Sequence, residues 1–202
     1  MSDSPSKQHH LAIFASGNGS NAQQICQYFS HHPQIDVACI IYNKKDAYVR
    51  ERANQLGVEA CHFPNSVIQT TSELDSTLTQ RGVDYIILAG FLSLIPARLL
   101  EQYSDSIINI HPSLLPKFGG KGMYGHHVHQ AVIDSHETQS GITIHLVNHK
   151  YDDGAILFQA HCPVTSTDTP DTLAHKIHLL EKTFFPQVIE SYILGNPMPT
   201  QN

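Results

Sequence analysis

The sequence predicts an α/β protein: a mostly parallel central sheet with helices on both faces, followed by a C-terminal antiparallel hairpin. Three observations lead there. Short apolar runs such as LAIFAS (from Leu11) and YIILAGF (from Tyr85) have the length and the unbroken hydrophobicity of strands buried on both faces. Amphipathic stretches of helical period separate these runs, giving the βαβα rhythm of a parallel sheet. Near the C-terminus the rhythm breaks: SGITIHLVN and AILFQAHCPV follow each other across the turn HKYDDG, as hairpin strands do.

Each element has its own signal. After LAIFAS and the loop GNGSN, residues Ala22, Ile25, Cys26 and Phe29 recur at i, i+3, i+4 and i+7, one face of a helix. VACIIYN is the second strand. Val49, Ala53 and Leu56 share the next helical face, which Gly57 closes as a C-cap. VEACHFP forms a third strand, and a helix opening at Ser72 stops at Gly82. YIILAGF follows, then a short helix from Pro96, then the strand SIINIH. Beyond a Gly-rich loop, HHVHQAVIDSH reads as helix and leads into the hairpin. The last helix opens at Thr169 with Pro170, where a missing N–H costs nothing. It should bury Leu173, Ile177, Leu180, Phe184 and Val188, with a kink or break at Pro186. The tail GNPMPTQN reads as frayed.

Composition excludes several classes. A chain of 202 residues with 41% hydrophobic and 15% charged residues fits one ordinary globular domain, residues 1–202. A formal net charge of −6 without a basic run argues against nucleic acid as a partner. The N-terminal MSDSPSKQHH lacks the apolar core of a signal peptide, and no run is long enough to span a membrane. The four cysteines form no CxxC pair, which suits a reduced, cytoplasmic protein.

Four stretches carry candidate chemistry. In FASGNGSN, glycines let backbone approach a ligand and the helix start offers N–H groups to an anion; the same loop also reads as a plain β–α turn with Ser20 as N-cap. It matches neither GxGxxG nor the Walker pattern, so a dinucleotide or nucleoside triphosphate is not indicated. In NIHPS, Asn109 and His111 stand two apart and project together at a strand end, an amide to bind an oxyanion beside an imidazole to move a proton. The alternative is a loop tether and a satisfied buried histidine. Asp152 and Asp153 in HKYDDG are ordinary turn formers unless the turn approaches His111; a carboxylate there would raise the imidazole pKa. GHHVH (125–129) invites a metal, but no companion ligand spacing supports one, and none is expected.

Taken together, SGNGSN, NKKDAYVRERA, ILAGFLSLIP, INIHPSLLPK, the VNHKYDDGAILFQAHCPV hairpin and LLEKTFFPQVI resemble the phosphoribosylglycinamide formyltransferases, a family of folate-dependent formyl-transfer enzymes, in the family's order. The resemblance implies a Rossmann-like formyltransferase fold, with a ribonucleotide phosphate-binding half (11–105) and a catalytic and folate-binding half (106–195). It implies formyl transfer from 10-formyltetrahydrofolate, as co-substrate, to the amine of glycinamide ribonucleotide, in purine biosynthesis. Gly19, Ser20 and Asn21 match the loop that holds the phosphate, and Glu181 an acidic contact to the ribonucleotide. Asn109, His111 and Asp152 match the catalytic trio; Leu92, Ser93, Leu94 and Ile95, together with Asn109, match the folate contacts. The partners implied are those two small molecules, for a monomer or homodimer.

Two departures stand out. Many relatives carry Arg where this chain has Ser93, which bears on recognition of a folate polyglutamate tail. The GGKGMYGHH segment is longer than in many relatives and reads equally as a lid or as a passive loop. Methionyl-tRNA formyltransferase and formyltetrahydrofolate deformylase share the trio but require an additional domain, at the C-terminus and the N-terminus respectively. A non-catalytic nucleotide-binding module would use GNGSN alone.

Overall fold

Strand β1 (His9–Ala15) opens on two part-buried histidines and is apolar from Leu11 to Ala15, which are completely enclosed. It pairs in parallel with β2 (Ile35–Tyr42) on one side and β4 (Tyr85–Leu88) on the other. The short β3 (Ala60–His62) adds to β2, also in parallel. This first unit of the computed structural model extends to Ile107, and the residues described are 7–201. The reading of the N-terminal segment as leader-free therefore falls partly outside the described residues.

Helix α1 (Ser20–Phe29) buries Ala22, Ile25, Cys26 and Phe29, the four residues its spacing picked out. Its N-cap is Gly19, not Ser20, and no side chain caps it. Helix α2 (Val49–Leu56) ends at Gly57, whose φ of 68° accommodates the left-handed turn. A further helix, α3 (Asn65–Thr70), was not predicted; it buries only Ile68, so it leaves no periodic trace. Helices α4 (Glu73–Gln80) and α5 (Ala97–Gln102) complete the unit.

The second unit begins at Ile108. Within it β5 (Ile107–His111) pairs antiparallel with β6 (Gln139–Leu146), which pairs antiparallel with β7 (Ile156–Pro163). The predicted hairpin is thus present, and β5 extends its antiparallel pattern. Helix α6 (His126–Asp134) precedes β6, and α7 (Pro170–Leu194) runs as one continuous helix through Pro186. Its start is a capping box in which Thr169 and Thr172 satisfy each other's backbone N–H. The predicted α7 core needs correction: Glu181 and Phe185 face inward where Leu180 and Phe184 were expected. The tail is not free either, since the Gln201 amide both accepts from the His161 N–H and donates to its carbonyl, each at 2.7 Å.

Among the described residues no helix is long and apolar enough to cross a membrane, and Cys26, Cys39, Cys61 and Cys162 are all free thiols.

Candidate active site

In the first unit the strand order β3-β2-β1-β4 places a topological switch point between β1 and β4, where chain connections leave in opposite directions. Crevices at such points are where open α/β sheets take ligands. Both loops marked in the sequence lie at these carboxyl ends. Gly19 is buried at the head of α1, with Ser20 and Asn21 as its first residues. Gly19 holds φ at 77°, and a Cβ there would overlap Val49 Cγ2, so the loop closes against α2 only with glycine. The second loop carries Leu92, Ser93, Leu94 and Ile95. Leu92 and Leu94 are large apolar side chains left 43% and 47% exposed, whereas Ile95 is buried. The two loops are stitched together: Ser16 N–H donates to the Gly90 carbonyl (3.0 Å), and Leu92 N–H donates to Ser16 Oγ (2.9 Å). Leu94 spends its carbonyl on the Gln69 amide at 2.7 Å.

In the second unit, Asn109 and His111 of β5 stand opposite His145 and Thr143 of β6. Directly opposed residues share a face, so these four side chains converge. His145 is the residue the sequence reading missed. Its signal lay in the register of two strands, not in its own neighbourhood, although the alternation of Thr143 and His145 in GITIHLVN put both on one face. The His145 Nδ1 lies 2.8 Å from the Leu146 carbonyl, so Nδ1 carries the ring proton and donates. Its Nε2 then accepts from the Asn109 amide at 3.0 Å. One amide proton is used in this way, and the arrangement fixes which way the amide points.

His111 is held between two acceptors. Its Nε2 donates to the Phe118 carbonyl (2.8 Å), and its Nδ1 lies 3.5 Å from Asp152 Oδ2. Asp152 also approaches His145 Nε2 (3.7 Å) and accepts from the Gly120 N–H (2.8 Å). Asp153, by contrast, is largely exposed, with Lys150 Nζ at 3.7 Å. The turn that delivers Asp152 is tightly built. Asp152 sits at φ 52°, a left-handed conformation that Asp and Asn tolerate better than most residues. Gly154 lies so close to β6 that a Cβ would run into the Leu146 carbonyl.

Burial dominates the electrostatics. It pushes the His111 pKa below 6.5, outweighing the upward pull of Asp152 and of the Phe118 hydrogen bond. The carboxylate exerts the upward pull expected of it, but desolvation of a side chain only 5% exposed is larger and sets the net direction. Burial would raise Asp152 as well, yet the adjacent His145 and His111 rings and the Gly120 N–H hold it below its ordinary value. The result is a neutral, buried imidazole beside a part-buried carboxylate. Such a cluster can orient an amide, offer N–H donors to a growing negative charge, and take up one proton.

Glu181 lies elsewhere in this unit, on the inner face of α7, 2.9 Å from His178 Nδ1. That hydrogen bond raises the His178 pKa. The neighbouring His129 of α6 is buried, its Nδ1 without a partner among the described residues, and burial lowers its pKa to about 4. His126 and His127 are exposed, so the GHHVH histidines diverge. Among the described residues no group of three or more His, Cys, Asp or Glu side chains is arranged to hold a metal ion.

Residues 9–189 match the formyl transferase family. The chain is 41% identical, over 91% of its length, to the phosphoribosylglycinamide formyltransferase, chloroplastic, of Arabidopsis thaliana, and spans 65% of that relative. It is 32% identical to the phosphoribosylglycinamide formyltransferase of Haemophilus influenzae, covering 92% of this chain and 87% of that one. Among solved structures, glycinamide ribonucleotide transformylase 1 from Symbiobacterium toebii superposes with a TM-score of 0.85 at 30% identity, covering 93% of this chain and 89% of that one.

Proposed function

Since the chain belongs to the formyl transferase family, we propose that it transfers the formyl group of 10-formyltetrahydrofolate to the amine of glycinamide ribonucleotide, yielding the formylated ribonucleotide and tetrahydrofolate in purine biosynthesis. The names of its relatives support this reading. The observation that carries it is the cluster of the buried His111 and His145 with the part-buried Asn109 and Asp152. We assign the reaction to the cytoplasm, a reading supported by four unpaired thiols.

The roles follow from the chemistry. The amine attacks the formyl carbon, a C–N bond forms, and the formyl oxygen takes the negative charge of a tetrahedral intermediate. The Asn109 proton not given to His145 donates to that oxygen; a donor of this kind contributes about 3 kcal/mol. The attacking nitrogen loses a proton, which His111 is able to accept because its resting ring is neutral. Asp152 stabilises the imidazolium so formed. Breaking of the bond to the folate nitrogen, with return of the proton, releases tetrahydrofolate. The Phe118 carbonyl holds the His111 Nε2 proton at rest, so a substrate oxygen takes that donor only as this contact yields. Gly19, Ser20 and Asn21 bind the phosphate, Glu181 the ribonucleotide, and Leu92, Ser93, Leu94 and Ile95 the folate.

The test is turnover of the purified protein with both substrates, read as tetrahydrofolate release, with formyl-acceptor controls. Absence of turnover, or full turnover by Asn109→Ala and His111→Ala proteins, would overturn the reading.

A further inference from the structure

Asn18 stands immediately before the N-cap of α1, where an amide oxygen has an obvious alternative occupation. An asparagine side-chain oxygen readily accepts from the backbone N–H two residues on, which here is that of Ser20, the first residue of α1. Turned that way, it would compete with any anion for the same groups. In this structure it is turned away. Arg52, the fourth residue of α2, donates from Nε to the Asn18 carbonyl (2.8 Å) and side-chain oxygen (3.1 Å), and from Nη2 to that oxygen again (2.6 Å). Its Nη1 donates to Gln23 Oε1 of α1, and its guanidinium lies 5.2 Å from the Tyr48 ring centroid. The backbone reinforces the clamp, since Val49 N–H donates to the Gly17 carbonyl at 3.1 Å. The N-cap itself is Gly19, which has no side chain to offer, and α1 starts without a side-chain cap.

We propose that Arg52 is a positioning residue for phosphate binding: its planar fork holds the Asn18 side chain off the start of α1, leaving the first-turn N–H groups to the ligand. The inference rests on the functional reading above for the identity of the phosphorylated substrate. A fork is needed because one nitrogen must reach a backbone carbonyl while another reaches the side-chain oxygen. Lysine supplies the charge without that geometry.

The experiment compares Arg52→Lys, Arg52→Gln and the double substitution Arg52→Gln with Asn18→Ala, each against the unaltered protein. Two readouts are taken: steady-state turnover, and calorimetric binding of ribose 5-phosphate. The expected result is a KM for the ribonucleotide raised about tenfold in both single variants, with kcat and the folate KM within about twofold, the pattern of lost ground-state binding. Removing the competing amide in the double variant restores part of the affinity, and a merely structural role would not produce that rescue. Wild-type KM in Arg52→Lys, or no rescue in the double variant, overturns the proposal. An unaltered protein that binds ribose 5-phosphate but does not turn over defeats the functional reading alone, and the binding series then decides the role of Arg52.

Discussion

Replacing Asp152 by asparagine removes a charge while keeping shape, and the left-handed backbone at φ 52° admits asparagine where it would strain alanine. The carboxylate lies 3.5 Å from His111 Nδ1. At an effective dielectric constant near 20, a pair of unit charges at that distance attract by about 5 kcal/mol. About half of this survives once the amide's own dipole and local reorganisation are allowed for, so formation of the imidazolium is disfavoured by roughly 2–3 kcal/mol, or about a hundredfold in kcat. The sign for pH follows from the same charges. Asp152 pulls the His111 pKa up against burial, so its removal lowers that pKa further. A neutral His111 acting as base gives an acid limb in the rate, and in Asp152→Asn this limb moves to lower pH while the plateau falls. Tetrahydrofolate release measured from pH 5 to 9 reads both effects. A plateau within threefold of wild type, or a limb that moves upward, refutes the reasoning.

Three further outcomes are expected. Gly19→Ala forces a side chain into Val49 at a φ of 77° and should cost about 1–3 kcal/mol in urea unfolding, with weaker ribonucleotide binding. Thr169→Ala removes half of the α7 capping box and should cost about 1 kcal/mol by the same measurement without altering kcat. His129 has a folded pKa of about 4 against an ordinary 6.5, so the unfolded chain takes up its proton first on acidification. Stability is then lost from pH 6.5 down to about 4, by up to about 3 kcal/mol. Unfolding free energies of His129→Leu across that window should show a shallower slope than those of wild type.

How much the sequence revealed depended on the kind of physics involved. The face of α1 was legible because four buried residues at helical spacing report a single, local periodicity. Helix α3 was not, since one buried isoleucine in six residues has no period to detect. In α7 the inward position went to Glu181 in place of Leu180; the helical face was read from hydrophobicity, which cannot anticipate a buried carboxylate paired with His178, although the resemblance had singled Glu181 out. Asn109, His111 and Asp152 were found from spacing and resemblance, yet the amide's partner His145 was not, because cross-strand register brings it there. The net direction of the His111 pKa was out of reach for a related reason. The carboxylate could be anticipated from the turn, whereas the degree of burial belongs to the folded chain.

The turn between β6 and β7 ordinarily would be the place to expect insertions and deletions, as in most surface hairpins. Here it is gauged at both ends. The pairing slips by a residue between Ile144 and His145, Leu146 N–H donates to the Ala155 carbonyl at 2.9 Å, and Gly154 admits no side chain against Leu146. One added residue would swing the Asp152 carboxylate off the two imidazoles it serves, even with every strand hydrogen bond intact. An exposed loop thus has the length tolerance of a core, and any attempt to graft, tag or diversify this hairpin should leave its residue count alone.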